Sequence, residues 1–149
     1  PQRQVNECTI IELKNGNLLL NMRNYTDDRL RKLSVSKDQG LSWGDLYSHQ
    51  SLIEPICQAS MINIRKTFGN EIIAFSNPNS KTNREKMTIQ FSFDKALSWP
   101  TKILIHEGPS AYSNLIQLNN HEIGCLFEGG NISAYEGIAF KKINIKKYK

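Results

Sequence analysis

Cysteine is scarce in this chain and badly spaced for chemistry. Cys8, Cys57 and Cys125 are an odd count, too widely separated for a disulfide framework or a zinc site. Each falls in an apolar, strand-like stretch and reads as a buried free thiol. Histidine is equally sparse: His49, His106 and His121 pair with no cysteine at metal-ligand spacing, so no metal is expected. No apolar run approaches the ~18 residues that a membrane-spanning helix needs. No basic-then-apolar stretch at the start reads as a leader, and Pro1 without an initiator Met reads as a processing or expression boundary. The net charge of +5 and pI near 9.2 are basic, but the basic residues are mostly dispersed. Only Lys141-Lys142 and Lys146-Lys147-Tyr148-Lys149 cluster, and they read as a solvated tail rather than a nucleic-acid surface.

Strong helix formers do not cluster either, and no segment keeps a helical period. Short apolar segments recur instead, several of them alternating, as in Lys86-Met87-Thr88-Ile89-Gln90-Phe91. Strands are expected at 8–13, 18–22, 30–36, 58–64, 71–76, 87–93, 102–106, 114–118, 122–127 and 137–145. The first two flank Lys14-Asn15-Gly16-Asn17, and an Asn-Gly between apolar runs is a strong hairpin signal. With an apolar share of 39% over 149 residues, the chain has enough to build a core and fits one all-β domain or a piece of one.

An internal repeat is the best architectural clue. Ser36-Lys37-Asp38-Gln39-Gly40-Leu41-Ser42-Trp43 recurs as Ser92-Phe93-Asp94-Lys95-Ala96-Leu97-Ser98-Trp99, with the tryptophans 56 residues apart and Asn21 matching Asn77 at the same offset. A period of this size built of short strands fits propeller blades. The pattern Ser-x-Asp-x-Gly-x-Ser/Thr-Trp resembles the Asp box of sialidase-like propellers. Physically it is a hairpin plug. Asp38 or Asp94 accepts backbone N–H bonds within its turn, Gly permits positive φ, and Trp43 or Trp99 packs on neighbouring strands while its N–H finds a partner. Ala96 replaces the glycine in the second copy, so that turn is expected to be distorted. These boxes bear on fold and not on chemistry.

The chemistry lies in an ordered set of further matches. They are Asn6-Glu7-Cys8, Glu12 through Gly16, Asn21-Met22-Arg23-Asn24, Glu54 through Ser60, Phe75-Ser76-Asn77-Pro78, Arg84 through Ile89, Gly108 through Leu115, Ile123 through Glu128, and Tyr135-Glu136-Gly137-Ile138. Together they resemble bacterial and animal sialidases over nearly the whole chain. The resemblance implies part of a six-bladed β-propeller, the last two to three blades, with residues 1–149 forming the C-terminal portion of the catalytic domain. It implies action on sialylated glycoconjugates, with no cofactor. Three arginines hold the substrate carboxylate in that family, and planar guanidinium forks suit that task. Arg23 matches the second and Arg84 the third. Tyr112 matches the nucleophile, a phenol where an Asp or Glu would be repelled by the anionic substrate. Glu7 matches the glutamate that takes its proton. Glu128 matches a glutamate that orients the first arginine, and Gln58 lies in a segment that reaches the pocket.

Other readings stand beside these. By residue type alone Arg23 is half of a structural ion pair, Arg29, Arg31 and Arg65 are surface residues, and Tyr135 competes with Tyr112 as a pocket wall. The sequons at Asn24 and Asn131 read as coincidence. Nothing matches the family's first arginine or its acid/base aspartate, so the chain alone is expected to have little or no activity and to expose apolar blade faces. A trans-sialidase shares the same residue set, and a non-catalytic scaffold of Asp-box repeats is the alternative from another class. Abundant Lys, Ile and Asn suggest an AT-rich bacterial source, and a bacterial sialidase would be exported.

Overall fold

A computed structural model describes residues 4–64 and 71–146. Arg65, Lys147 and Lys149 lie outside the described residues. Among the described residues there is no helix, hence none long and apolar enough to cross a membrane. The first sheet is a meander of β1 (Val5–Glu12), β2 (Leu18–Asn24), β3 (Leu30–Ser36) and β4 (Tyr47–Ile53). The second is six-stranded, in the spatial order β10-β9-β8-β7-β6-β5: β5 (Ser60–Ile64), β6 (Ile72–Pro78), β7 (Glu85–Ser92), β8 (Thr101–Asn119), β9 (Glu122–Gly129) and β10 (Gly137–Asn144).

That second sheet departs from a simple four-stranded blade because β8 is one continuous 19-residue strand where two were expected. Its first half pairs with β7, and its second half pairs with β9. β8 therefore serves as the outer strand of one blade and the inner strand of the next. Among the described residues the result is two four-stranded blades and three strands of a third. β4 was missed in the sequence because Tyr47-Ser48-His49-Gln50-Ser51 is polar, as suits an outer strand that is mostly half-buried, with only Leu52 fully inside. The expected first hairpin forms: Leu13 N–H donates to Asn17 O, and Gly16 takes φ +82° in the turn.

Two cores lie between blades. Ile11, Leu13, Leu19, Leu33 and Leu52 of the first blade meet Met61, Ile73, Phe75, Ala96 and Trp99 of the second. Ile64, Ile72, Ala74, Met87, Ile89 and Phe91 meet Leu115, Ile123, Cys125, Phe127, Ile143 and Ile145 of the third. β6 is buried throughout because its alternate residues enter opposite cores, Ile73 and Phe75 one way and Ile72 and Ala74 the other. Burying one such Phe is worth roughly 1.5–3 kcal/mol.

The Asp boxes are alike in detail. Ser36 Oγ donates to Asp38 Oδ1 at 2.8 Å, and Asp38 Oδ1 accepts Ser42 N–H at 2.9 Å. Ser92, Asp94 and Ser98 repeat these bonds at 2.8 and 2.8 Å. The expected distortion at Ala96 is absent. Ala96 takes φ +67°, close to Lys95 at +62°, and its methyl is buried in the core. The left-handed conformation costs about 1–2 kcal/mol, offset in part by that burial.

The tryptophans differ from expectation. Trp99 is buried edge-on against Phe75, at 5.9 Å between ring centroids, but its Nε1 has no partner among the described residues. Trp43 is 38% exposed. Trp99 plugs the junction with the preceding blade, and among the described residues no blade packs on Trp43 in the same way. Cys8 is exposed rather than buried, because it lies on the open face of β1 with Ile10. Cys57 is buried as expected but sits in the loop between β4 and β5 rather than on a strand. On the open face of the third blade, Ile116, Leu126, Ile138 and Phe140 are exposed.

Candidate active site

The site residues sit where the ladders break. Glu7 is the extra residue of a β-bulge in β1: Asn6 pairs with Arg23 and Cys8 with Met22, and Glu7 takes φ +33°. A bulge re-aims a side chain that regular alternation would send elsewhere. Tyr112 lies in a second irregularity, between Ser110 and Ser113 of β8. Arg84 immediately precedes β7, beside a third register shift between Glu85 and Met87.

These breaks bring distant residues together. Tyr112 Oη donates to Glu7 Oε1 at 2.6 Å across 105 residues. Arg23 Nη1 donates to Glu7 Oε2 at 2.5 Å and lies 3.4 Å from Tyr112 Oη. The Arg84 guanidinium stands over the Tyr112 ring, 5.8 Å from its centroid. Arg84 is itself held from two sides, donating to Tyr135 Oη at 2.6 Å and to the Ile56 carbonyl at 3.1 Å. Tyr112 thus stands between two guanidinium groups, with Glu7 at its hydroxyl.

Burial works to raise the Glu7 carboxyl, but hydrogen bonds from Tyr112 and Arg23 and the charges of Arg23 and Arg84 outweigh it. Glu7 titrates below the usual carboxylate value. Tyr112 moves the opposite way. Its hydrogen bond to Glu7, then burial and the Glu7 charge, hold the phenol above its ordinary value, although Arg23 pulls it down. At rest the proton belongs to Tyr112 and the charge to Glu7.

The remaining expected residues lie around this centre. Glu128 Oε2 accepts the Tyr112 backbone N–H at 3.0 Å. Gln58 spends both ends of its amide on Ser113: Nε2 donates to the Ser113 carbonyl at 3.1 Å, and Oε1 accepts Ser113 N–H at 2.9 Å. Gln58, Tyr112, Leu126, Glu128 and Ile138 line an open cavity of about 300 Å³. Among the described residues, no three His, Cys, Asp or Glu side chains converge as a metal-holding group.

Sequence reasoning missed three contributors. Tyr25 lies under Arg23, whose guanidinium carbon is 4.8 Å from the ring centroid. Arg31, expected on the surface, is fully buried. It pairs with the equally buried Glu54 at 2.6 Å and donates to Asn21 Oδ1 and to the Cys57 carbonyl. Glu54 sits among apolar residues, after Leu52-Ile53 and before Pro55-Ile56, and a carboxylate so placed signals a buried pair; Arg31, between Leu30 and Lys32, carries no such local signal. Asn24 is also buried, its amide donating to Thr26, Asp28 and Leu30.

The BNR repeat-like domain family matches residues 1–126. A sialidase of Bacteroides fragilis is 31% identical over 147 residues, covering 94% of this chain and 26% of that protein. The structure superposes on a Hadza microbial sialidase with a TM-score of 0.84 and 31% identity, covering 97% of this chain and 28% of that one. An intramolecular trans-sialidase from Ruminococcus gnavus, at 23% identity, shares the fold with a TM-score of 0.80, covering 95% of this chain and 33% of that one. The chain thus spans about a quarter to a third of the length of these relatives, whose propeller fold it shares in part. The chain belongs to the BNR repeat-like domain family, as a sialidase-type domain.

Proposed function

We propose that this chain is the C-terminal portion of an exo-α-sialidase catalytic domain and supplies the nucleophile side of its site. The observation that carries the reading is the pairing of the Tyr112 hydroxyl with the Glu7 carboxylate between two arginines. The substrate is a terminal sialic acid, whose anomeric carbon bears a carboxylate. Arg23 and Arg84 receive that carboxylate. A third arginine, and an aspartate that protonates the departing glycan oxygen, come from the rest of a longer protein.

Tyr112 Oη attacks the anomeric carbon as the bond to the glycan oxygen breaks, and Glu7 takes the phenolic proton in the same step. Water then displaces the tyrosyl oxygen, giving up a proton to the aspartate, and Glu7 returns the first proton to Tyr112. Two displacements at one carbon give net retention. A phenol suits an anionic substrate, since a carboxylate nucleophile would be repelled by it.

The resting proton balance opposes ionisation of Tyr112. Substrate changes that balance. Once the sialic acid carboxylate pairs with Arg23 and Arg84, their pull on Glu7 weakens and Glu7 becomes a better base. The field that keeps Glu7 ionised in the free site relaxes when the proton must move.

The test is turnover of a fluorogenic α-sialoside by the full-length protein that carries this chain. Cleavage that stops at the first sialic acid supports the reading. Absence of cleavage contradicts it.

A further inference from the structure

The geometry points to the buried Arg31–Glu54 ion pair as the positioning pair of the site, setting both substrate-facing arginines and the tyrosine through one loop. The inference rests on the functional reading above. Neither residue touches Tyr112 or Glu7, so each acts through others.

Three connections carry it. Glu54 Oε1 accepts the backbone N–H of Asn24 at 2.6 Å, which pins the chain one residue after Arg23 at the end of β2. Its other oxygen takes Arg31 Nη1. The same Nη1 donates to the Cys57 carbonyl at 2.7 Å, so Arg31 grips the loop between β4 and β5 at its centre. On one side of Cys57, the Ile56 carbonyl receives Arg84. On the other, Gln58 clasps the backbone of Ser113, the residue after Tyr112. One ion pair therefore stands a single residue from the contacts that set Arg23, Arg84 and Tyr112.

The backbone at Ile56 strengthens the case. Ile56 takes φ +56°, a left-handed conformation that a β-branched residue adopts only when its surroundings dictate it. That conformation belongs to the residue whose carbonyl receives Arg84, and the Arg31 bond to Cys57 O fixes the next peptide. Asn21 completes the anchoring by accepting Arg31 Nε at 2.6 Å, so the guanidinium has little freedom to turn.

A buried pair can also be mere structure, and the experiment separates the two. Arg31→Met/Glu54→Leu in the full-length protein replaces the pair by apolar side chains of similar volume, which folds tolerate well. It removes the bonds to Asn24 N and Cys57 O. The expected result is a folded protein whose kcat/KM for a fluorogenic sialoside falls about 10–100-fold. Asp94→Asn, in the distant second Asp box, serves as the control, lowering the Tm while leaving kcat/KM at the wild-type value. If the double variant does not fold, Glu54→Gln decides, since it keeps the shape but leaves one of the two Glu54 bonds unmade. There kcat/KM falls roughly tenfold. A folded double variant, or Glu54→Gln, with wild-type kcat/KM overturns the positioning role while leaving the sialidase reading intact. A wild-type protein that cleaves no sialoside overturns that reading and this inference with it.

Discussion

Tyr112 and Glu7 meet through a 2.6 Å hydrogen bond although 105 residues separate them, and each stands at a break in its own strand. Regular strands would fix these side chains by alternation alone. The bulges free them from it, and the packing of β1, β5 and the second half of β8 along the inner edges of successive blades brings them together. Thr9 Oγ1 donates to the Met61 carbonyl, and Leu115 N–H donates to Ser60 Oγ, so each inner strand is tied to the next.

The field around Glu7 predicts a pH signature. Glu7 must be ionised to accept the Tyr112 proton, and its folded value lies below that of an ordinary carboxyl. Activity is therefore present above that value and lost as pH falls through it. The acid limb of kcat/KM, which reports the free protein, should lie below the ordinary carboxylate range. The acid limb of kcat should lie higher, because bound substrate neutralises the arginines. A pH–rate profile of both constants checks the order of the two limbs, and coincident limbs would contradict it.

Arg84 should not tolerate lysine. Its fork is set by Tyr135 Oη and the Ile56 carbonyl, and an ammonium cannot reproduce two directed N–H groups. Losing one charge-assisted hydrogen bond to substrate costs about 1.5–3 kcal/mol. Arg84→Lys should thus weaken binding of free sialic acid by roughly 10- to 100-fold. Tyr135→Phe, which removes only the orienting hydroxyl, should weaken it by less. Titration calorimetry on the full-length protein reads both.

The first Asp box should contribute to stability at mildly acidic pH. Hydrogen bonds from the Ser42 hydroxyl, the Ser42 backbone and the Ser36 hydroxyl hold the Asp38 carboxyl down at about 2. A depressed carboxylate stabilises the fold fully above its unfolded value near 4, and that contribution is lost as pH falls towards 2. Melting temperature should therefore drop more steeply between pH 4 and pH 2 in the wild type than in Asp38→Asn. Parallel curves would show that Asp38 is not coupled to folding.

The blade repeat, most strands and the segments that assemble around Tyr112 were legible in the sequence, because alternation, turn chemistry and residue order are local signals. What was not legible depends on tertiary contact. Arg31 carries the same chemistry as an exposed arginine, and only its placement opposite Glu54 makes it a buried partner. Trp43 and Trp99 sit in matching motifs, yet one is buried and one exposed, because burial is decided by the neighbouring blade. Ala96 breaks the motif's glycine rule without breaking the turn, since the same serine and aspartate bonds hold it. The 19-residue β8 read as two strands because the segment that crosses between blades, around Gly108-Pro109, looks like a turn.

The central claim is that Tyr112, with Glu7 as its base, attacks the anomeric carbon of sialic acid. It is tested most directly by trapping the intermediate with a fluorinated sialoside whose second displacement is slow, followed by peptide mass spectrometry of the full-length protein. The account predicts one sialyl adduct on the peptide containing Tyr112, absent in Tyr112→Phe and greatly slowed in Glu7→Gln. An adduct on Glu7, or a Tyr112→Phe protein that forms the adduct and turns over at the wild-type rate, would contradict it.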